Sequence, residues 1–145
     1  MTIYTIGFTK KSAEEFFELL IKNNISKVID IRLNNASQLA GFAKGRDLKY
    51  LLPKVGSIKY SHLLDFAPTK ELLDGYKNGT IPWSQYEIEY EKIISSRNAL
   101  SKIDPNELTD SCFLCSEHEP EFCHRRLLAE AFKKMYPHFN IIHLQ

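Results

Sequence analysis

The sequence has no apolar run approaching the ~20 residues that a bilayer crossing needs, so no membrane-spanning helix is expected. Cysteine is scarce. Three in 145 residues is an odd, small number that builds no disulfide framework, although Cys115 and Cys123 are available as a reversible redox pair. Glycine and proline number six each, and no repeat, linker or low-complexity tract interrupts the chain. Excess charge is missing too: 19 basic residues face 18 acidic ones, and a net charge of +1 gives no global attraction to nucleic acid or anionic membranes. The opening MTIYTIGFTKK lacks the basic head and long apolar stretch of a secretory leader, and a cytosolic protein is expected.

What is present is ordinary globular composition, 43% hydrophobic and 26% charged, with apolar residues spread along the whole length. Residues 1–145 read as a single domain, a size that hides roughly two thirds of its surface without staples. Five short β-rich runs stand out: Ile3 to Gly7, Lys27 to Arg32, SIKYSHL from Ser57, DSCFLC ending at Cys115, and FNIIHL near the end. Helical periodicity separates them. Ser12 and Glu15 form a capping box ahead of Ala13, Phe16, Phe17, Leu20 and Ile21. A polar loop with Asn34, Asn35, Gly41 and Gly45 leads to a short helix over Asp47 to Lys54, and Thr69 to Lys77 makes another. Ser84 and Glu87 suggest a second capping box for a helix running to about Lys102. Pro120 suits the first turn of a last helix that ends at Tyr136, before Pro137.

Alternating strands and helices predict an α/β fold: a single domain with a mostly parallel five-stranded sheet, helices on both faces and right-handed crossovers. The simplest order is 3-2-1-4-5, with the topological switch between the first and fourth strands. Ligands of such sheets bind outside the carboxyl ends of the strands at that switch. Three polar clusters meet there. They are Gly7 to Thr9, Asp30 with Arg32, and the stretch CSEHEPEFCHRR from Cys115 to Arg126.

At about 100° per residue, His124 falls within the apolar face set by Leu128, Ala131, Phe132 and Met135, Arg125 lies on its flank, and Arg126 points to solvent. Cys115, ending a central strand before a helix amino terminus, is a candidate nucleophile; the alternative is an ordinary buried cysteine. Glu117 and His124 are candidates for moving a proton, and His124 also reads as a core histidine bonded to a carbonyl. Cys112 reads as structural, and Cys123, on the polar side of the wheel, as a resolving thiol or a bystander. Arg32 and Arg125 suggest a shared receptor for phosphate, carboxylate or sulfate, unless Asp30 pairs with one of them structurally. Tyr60, His62 and Trp83 are candidates for the pocket rim. A metal site is not the leading expectation, because adjacent Cys123 and His124 diverge on a helix; its candidate ligands would be Cys115, Glu117, His118 and His124.

In these motifs the chain resembles the family called domain of unknown function 488. Members carry a TIGHS-like motif after the first strand, a DVR motif on the second and C-x-E-x-x-P-x-x-CHR near the end. The corresponding residues are TIGFT (Thr5 to Thr9), DIR (Asp30 to Arg32) and CSEHEPEFCHR (Cys115 to Arg125), and the similarity spans essentially the whole chain. The resemblance implies a compact α/β domain and weight on Gly7, Asp30, Arg32, Cys115, Glu117, Cys123, His124 and Arg125. It names no reaction. Phe8 stands where members usually have histidine, and LLDFAP replaces the Leu-Gly-Gly that often follows the tyrosine of strand three.

The sequence therefore points to a small cytosolic enzyme acting on an anionic, phosphate- or nucleotide-bearing substrate, with Arg32 and Arg125 holding the anion and Cys115, Glu117 and His124 reacting. Gly7, Thr9, Asp30, Tyr60 and Cys123 would support the pocket. A non-catalytic nucleotide or nucleic-acid binding module and a purely structural or interaction domain are the alternatives. No cofactor is specified, no membrane partner is expected and no oligomeric state is implied. Rhodanese and phosphatase thiol enzymes also place a cysteine after a strand, but their short cysteine-to-arginine loop is not matched, since Arg125 is ten residues past Cys115.

Overall fold

The β-rich runs form β1 (Thr2–Gly7), β2 (Lys27–Asp30), β3 (Lys59–His62), β4 (Ser111–Cys115) and β5 (Asn140–Leu144) in a computed structural model that describes residues 1–36 and 41–145. All neighbours pair in parallel, in the order β3-β2-β4-β1-β5. The expected parallel five-stranded α/β domain is therefore present, but β4 and not β1 lies beside β2. Adjacency of successive strands is only a tendency. The middle goes to SCFLC, which is buried at all five positions, whereas β1 leaves Thr2 and Tyr4 half-exposed.

The helices divide by face. α1 (Ala13–Lys22) and α2 (Gly45–Gly56) pack Phe16, Leu20, Leu48 and Leu52 against Ile6, Val28, Cys112 and Leu114. On the other face lie α3 (Lys70–Lys77), α4 (Trp83–Ser96), a short α5 (Pro105–Leu108) and α6 (His124–Met135). Leu72, Tyr90, Leu108 and Phe132 from these helices cover Ile3, Ile29, Ile31 and Phe113. Right-handed crossovers explain the split, because the path from β1 to β3 and the path from β3 to β5 cross the sheet in opposite directions. The loop after β4 thus turns to one face while those after β1 and β2 turn to the other. A crevice opens at the carboxyl end of β4. Register sets Gly7 opposite Cys115 and Asp30 opposite Leu114, so the three expected clusters end side by side.

Local signals explain most helix boundaries. Ser12 and Glu15 form the capping box in both directions, each bond 3.1 Å, and the Thr69 hydroxyl caps Leu72 N of α3 at 3.2 Å. Ser84 is not a cap: α4 starts at Trp83 behind Pro82, and Glu87 accepts from the Trp83 indole instead. That helix stops at Ser96, since Asn98 takes a left-handed φ of 53°, and a separate 3-10 turn covers Ala99–Lys102. The polar loop after Arg32 lies partly outside the described residues, and α2 begins at Gly45, two residues before the expected Asp47. The last helix departs most from expectation. It starts at His124, with Cys123 extended at φ −138°, and not at Pro120.

Candidate active site

The crevice is a cleft of about 380 Å³, with Phe8, Thr9, Arg32, Cys115, Cys123 and His124 among its walls and Glu117 at its edge. A larger groove of about 460 Å³ between α4 and α6 carries no thiol, imidazole or guanidinium, so chemistry concentrates at the sheet edge.

Arg32 is buried and held flat. Its Nε and Nη2 donate to the two carboxylate oxygens of fully buried Asp30 at 2.9 and 2.7 Å, and Nη2 also reaches the Ala43 carbonyl at 2.7 Å. The Phe8 ring lies 5.2 Å from its central carbon, a cation–π contact made by the residue that departs from the TIGHS-like pattern. Tyr60 donates to Asp30 at 2.6 Å and accepts from Asn35, whose amide also meets His62 at 3.2 Å. Burial, and then the bond to Asp30, push the Tyr60 hydroxyl pKa up. For Arg32, burial works against the charge but the bonds to Asp30 outweigh it, and the guanidinium pKa is raised. One nitrogen stays unused: Nη1 is buried and has no hydrogen-bond partner among the described residues.

The cleft floor holds two thiols and an imidazole. His124 Nε2 is 2.8 Å from the Ile31 carbonyl, which only accepts, so Nε2 carries the proton; Cys115 Sγ, 3.5 Å from Nδ1 and 3.9 Å from Nε2, lies over the ring face. Cys123 Sγ completes the group, and the three ligand-type atoms lie within 4.8 Å of one another. Bonding to Cys123 and burial push the Cys115 thiol pKa up. Burial opposes ionisation of Cys123 as well, but the adjoining Cys115 and His124 outweigh it and hold its thiol well below the ordinary range. Cys115 at the end of β4 and Cys123 at the amino terminus of α6 thus form one coupled thiol pair beside His124. Cys112 stays in the strand, its thiol pKa raised by burial.

Arg125 does not join Arg32. It is fully buried, and its guanidinium bonds to Thr5 Oγ1 at 3.3 Å, to the Glu117 carbonyl, and to the His118 carbonyl at 3.0 Å. The arginine that looked like half of an anion clamp is occupied in fastening the loop after β4. Thr9 fastens the same loop, its Oγ1 donating to the Ser116 carbonyl at 2.8 Å. Glu117 keeps an exposed side chain at the rim, and His118 turns toward Lys11 and the Thr9 carbonyl at 3.4 and 3.3 Å. Arg126 points outward to Glu87 and Glu130 as the wheel indicated. Tyr60 and His62 stand behind Arg32 as support; of the three rim candidates Trp83 alone lines the cleft.

Of the aromatic wall, sequence reasoning offered Trp83 and missed Tyr76, Tyr86 and Phe122. Trp83 stacks on Tyr86 at 4.7 Å and 15°, while Tyr76 and Phe122 meet Trp83 edge-on at 5.3 and 5.6 Å. All four line the cleft. The Tyr86 and Tyr90 spacing in α4 was a legible helical stripe, but Tyr76 and Phe122 come from other segments.

Comparison with curated proteins and with solved structures yields no match to this chain. A family model covers residues 12–132, which includes the DIR and CSEHEPEFCHR motifs and leaves TIGFT before its start. On that match the chain belongs to the family described as Domain of unknown function DUF488.

Proposed function

We propose that the cleft is the active site of a small cytosolic enzyme acting on an anionic, phosphate- or nucleotide-bearing substrate. Arg32 holds the anion, the thiols and imidazole of Cys115, Cys123 and His124 form the reacting floor, and Glu117 exchanges a proton from the rim. The observation that carries the reading is Arg32, which lines the same cleft as the reactive floor and whose buried Nη1 has no partner among the described residues. A buried donor left unsatisfied costs about 1–3 kcal/mol, which an anion in the cleft would offset. Three reduced cysteines suit a cytosolic setting. Stacked aromatic faces beside the anion site support a second reading, a non-catalytic nucleotide-binding module using the same cleft.

Thermal unfolding with phosphate, sulfate and a nucleotide panel tests the site. A ligand of the native state alone adds RT ln(1 + [L]/Kd), about 2.7 kcal/mol at a hundredfold excess over Kd, which is a shift of several degrees. Arg32→Lys keeps a positive partner for Asp30 but removes the fork, and is expected to lose most of the shift. Turnover of the stabilising ligand separates enzyme from binding module. No shift with any anion would sink both readings.

A further inference from the structure

We propose that Cys115, Cys123 and His124 form a binding site for one borderline-soft divalent cation of the Zn²⁺ type, with the fourth coordination position turned into the cleft. The inference deepens the proposed function by saying what the reacting floor holds, and it rests on that reading only for its location.

The geometry suits coordination. Zinc bonds of about 2.3 Å to sulfur and 2.0–2.1 Å to nitrogen, at a tetrahedral angle, set the two ligand atoms about 3.5–3.6 Å apart. Cys115 Sγ and His124 Nδ1 are 3.5 Å apart. The other ring nitrogen already donates to the Ile31 carbonyl, the kind of outer bond that orients a ligating histidine, and coordination requires Cys115 Sγ, which lies over the ring 3.9 Å from Nε2, to swing toward the ring plane. The third ligand follows from the late start of α6. On a helix, Cys123 and His124 would point about 100° apart, but Cys123 is extended before the first turn and its sulfur folds back beside the ring. Glu117 and His118, which the sequence offered as ligands, are directed to the rim and to Lys11.

Charge and ligand type agree. Each thiol gives up its proton on binding, so one Zn²⁺ and two thiols yield a neutral centre of two thiolates and an imidazole, with two protons released. A neutral centre is not repelled by the buried Arg32 and Arg125 guanidiniums, whereas a cation held by neutral ligands would be. Two sulfurs and one nitrogen favour zinc-like over hard cations. Three protein ligands leave one position for water or substrate, and all three residues line the cleft that contains Arg32.

The test is metal binding by the reduced full-length protein, reconstituted with Zn²⁺ or Co²⁺ and freed of excess by gel filtration. One equivalent of metal per chain is expected, with thiolate-to-cobalt absorption and the visible bands of tetrahedral Co²⁺. Cys123→Ser and His124→Asn should weaken binding by more than the ~10–100-fold that loss of an outer-shell partner costs, while Cys112→Ala should not. Should the ligand variants unfold, the wild type still decides: bound Zn²⁺ should protect Cys115 and Cys123 from alkylation, and a chelator should restore their reaction. No stoichiometric metal after reconstitution, chelator-independent alkylation, or a Cys115–Cys123 disulfide in protein prepared under reductant would each overturn the proposal. Phosphate stabilisation lost in Arg32→Lys but unchanged by chelation would leave the anion site standing without the metal.

Discussion

The carbonyl oxygen of Glu117 lies 1.7 Å from the point a β-carbon on residue 7 would occupy, so only glycine lets the β4–α6 loop rest on the end of β1. The same carbonyl receives Arg125, whose Nη1 would be 3.1 Å from that carbon. Backbone, not a flexible side chain, blocks the space. Gly7→Ala should therefore destabilise the fold by about 1–3 kcal/mol, the range for overpacking, and displace the loop that frames the cleft. Urea unfolding and anion-dependent thermal shifts measure the two effects; a variant with both intact would refute the close approach.

Arg125→Ala should be among the most damaging single changes in the chain. It empties a large buried volume and leaves the Glu117 and His118 carbonyls and Thr5 without their donor. Loss of hydrogen bonds to a charged group costs about 1.5–3 kcal/mol, and the emptied volume adds to that cost. A melting temperature unchanged in Arg125→Ala would return this arginine to the ligand-binding role.

The fate of Arg125 shows where sequence reading ends. Its charge and its inward aim were legible, but the acceptors are main-chain carbonyls of a loop whose path no residue pattern reveals. The five strands, the cap at Ser12 and the meeting of Arg32, Cys115 and His124 followed from periodicity and from the rule for parallel sheets. Strand order did not, because the central place depends on comparing β4 with β1 as burial partners. Cys123 was misread for one reason: the wheel assumed a helix already running from Pro120, whereas α6 begins at His124, four residues past it, and Cys123 stays extended. The wall of Tyr76, Trp83, Tyr86 and Phe122 joins three segments, and tertiary packing alone assembles it.

Tyr60→Phe should loosen Arg32 without touching the cleft. The phenol donates to the Asp30 carboxylate at 2.6 Å, a bond to a charged group worth about 1.5–3 kcal/mol. Its loss also removes one acceptor of Asn35. Stability should fall by roughly that amount and phosphate affinity should fall with it. Equal stability with weakened phosphate binding would instead make Tyr60 a ligand contact.

Acid should weaken the protein through His143. Arg125 Nε donates to Thr5 Oγ1, and a neutral His143 whose Nδ1, 2.6 Å away, accepts the Thr5 hydroxyl proton completes the chain. Burial first, then the positive charge of Arg125, lower the His143 pKa from its ordinary 6.5; Glu130 works in the opposite sense and Arg126 in the same. The folded state thus prefers the neutral ring more than the unfolded chain does. The stability this contributes is complete above about pH 6.5 and is lost as pH falls through that value toward the lower folded pKa. His143→Asn offers Thr5 an oxygen acceptor that does not titrate, and subtracting its stability curve from the wild-type curve removes the contributions of the other four histidines. The difference should be flat above neutrality and should grow against the wild type as pH falls below about 6.5. A flat difference below that value would mean that protonated His143 keeps its bond to Thr5, and that the Thr5–His143 pair is oriented the other way round.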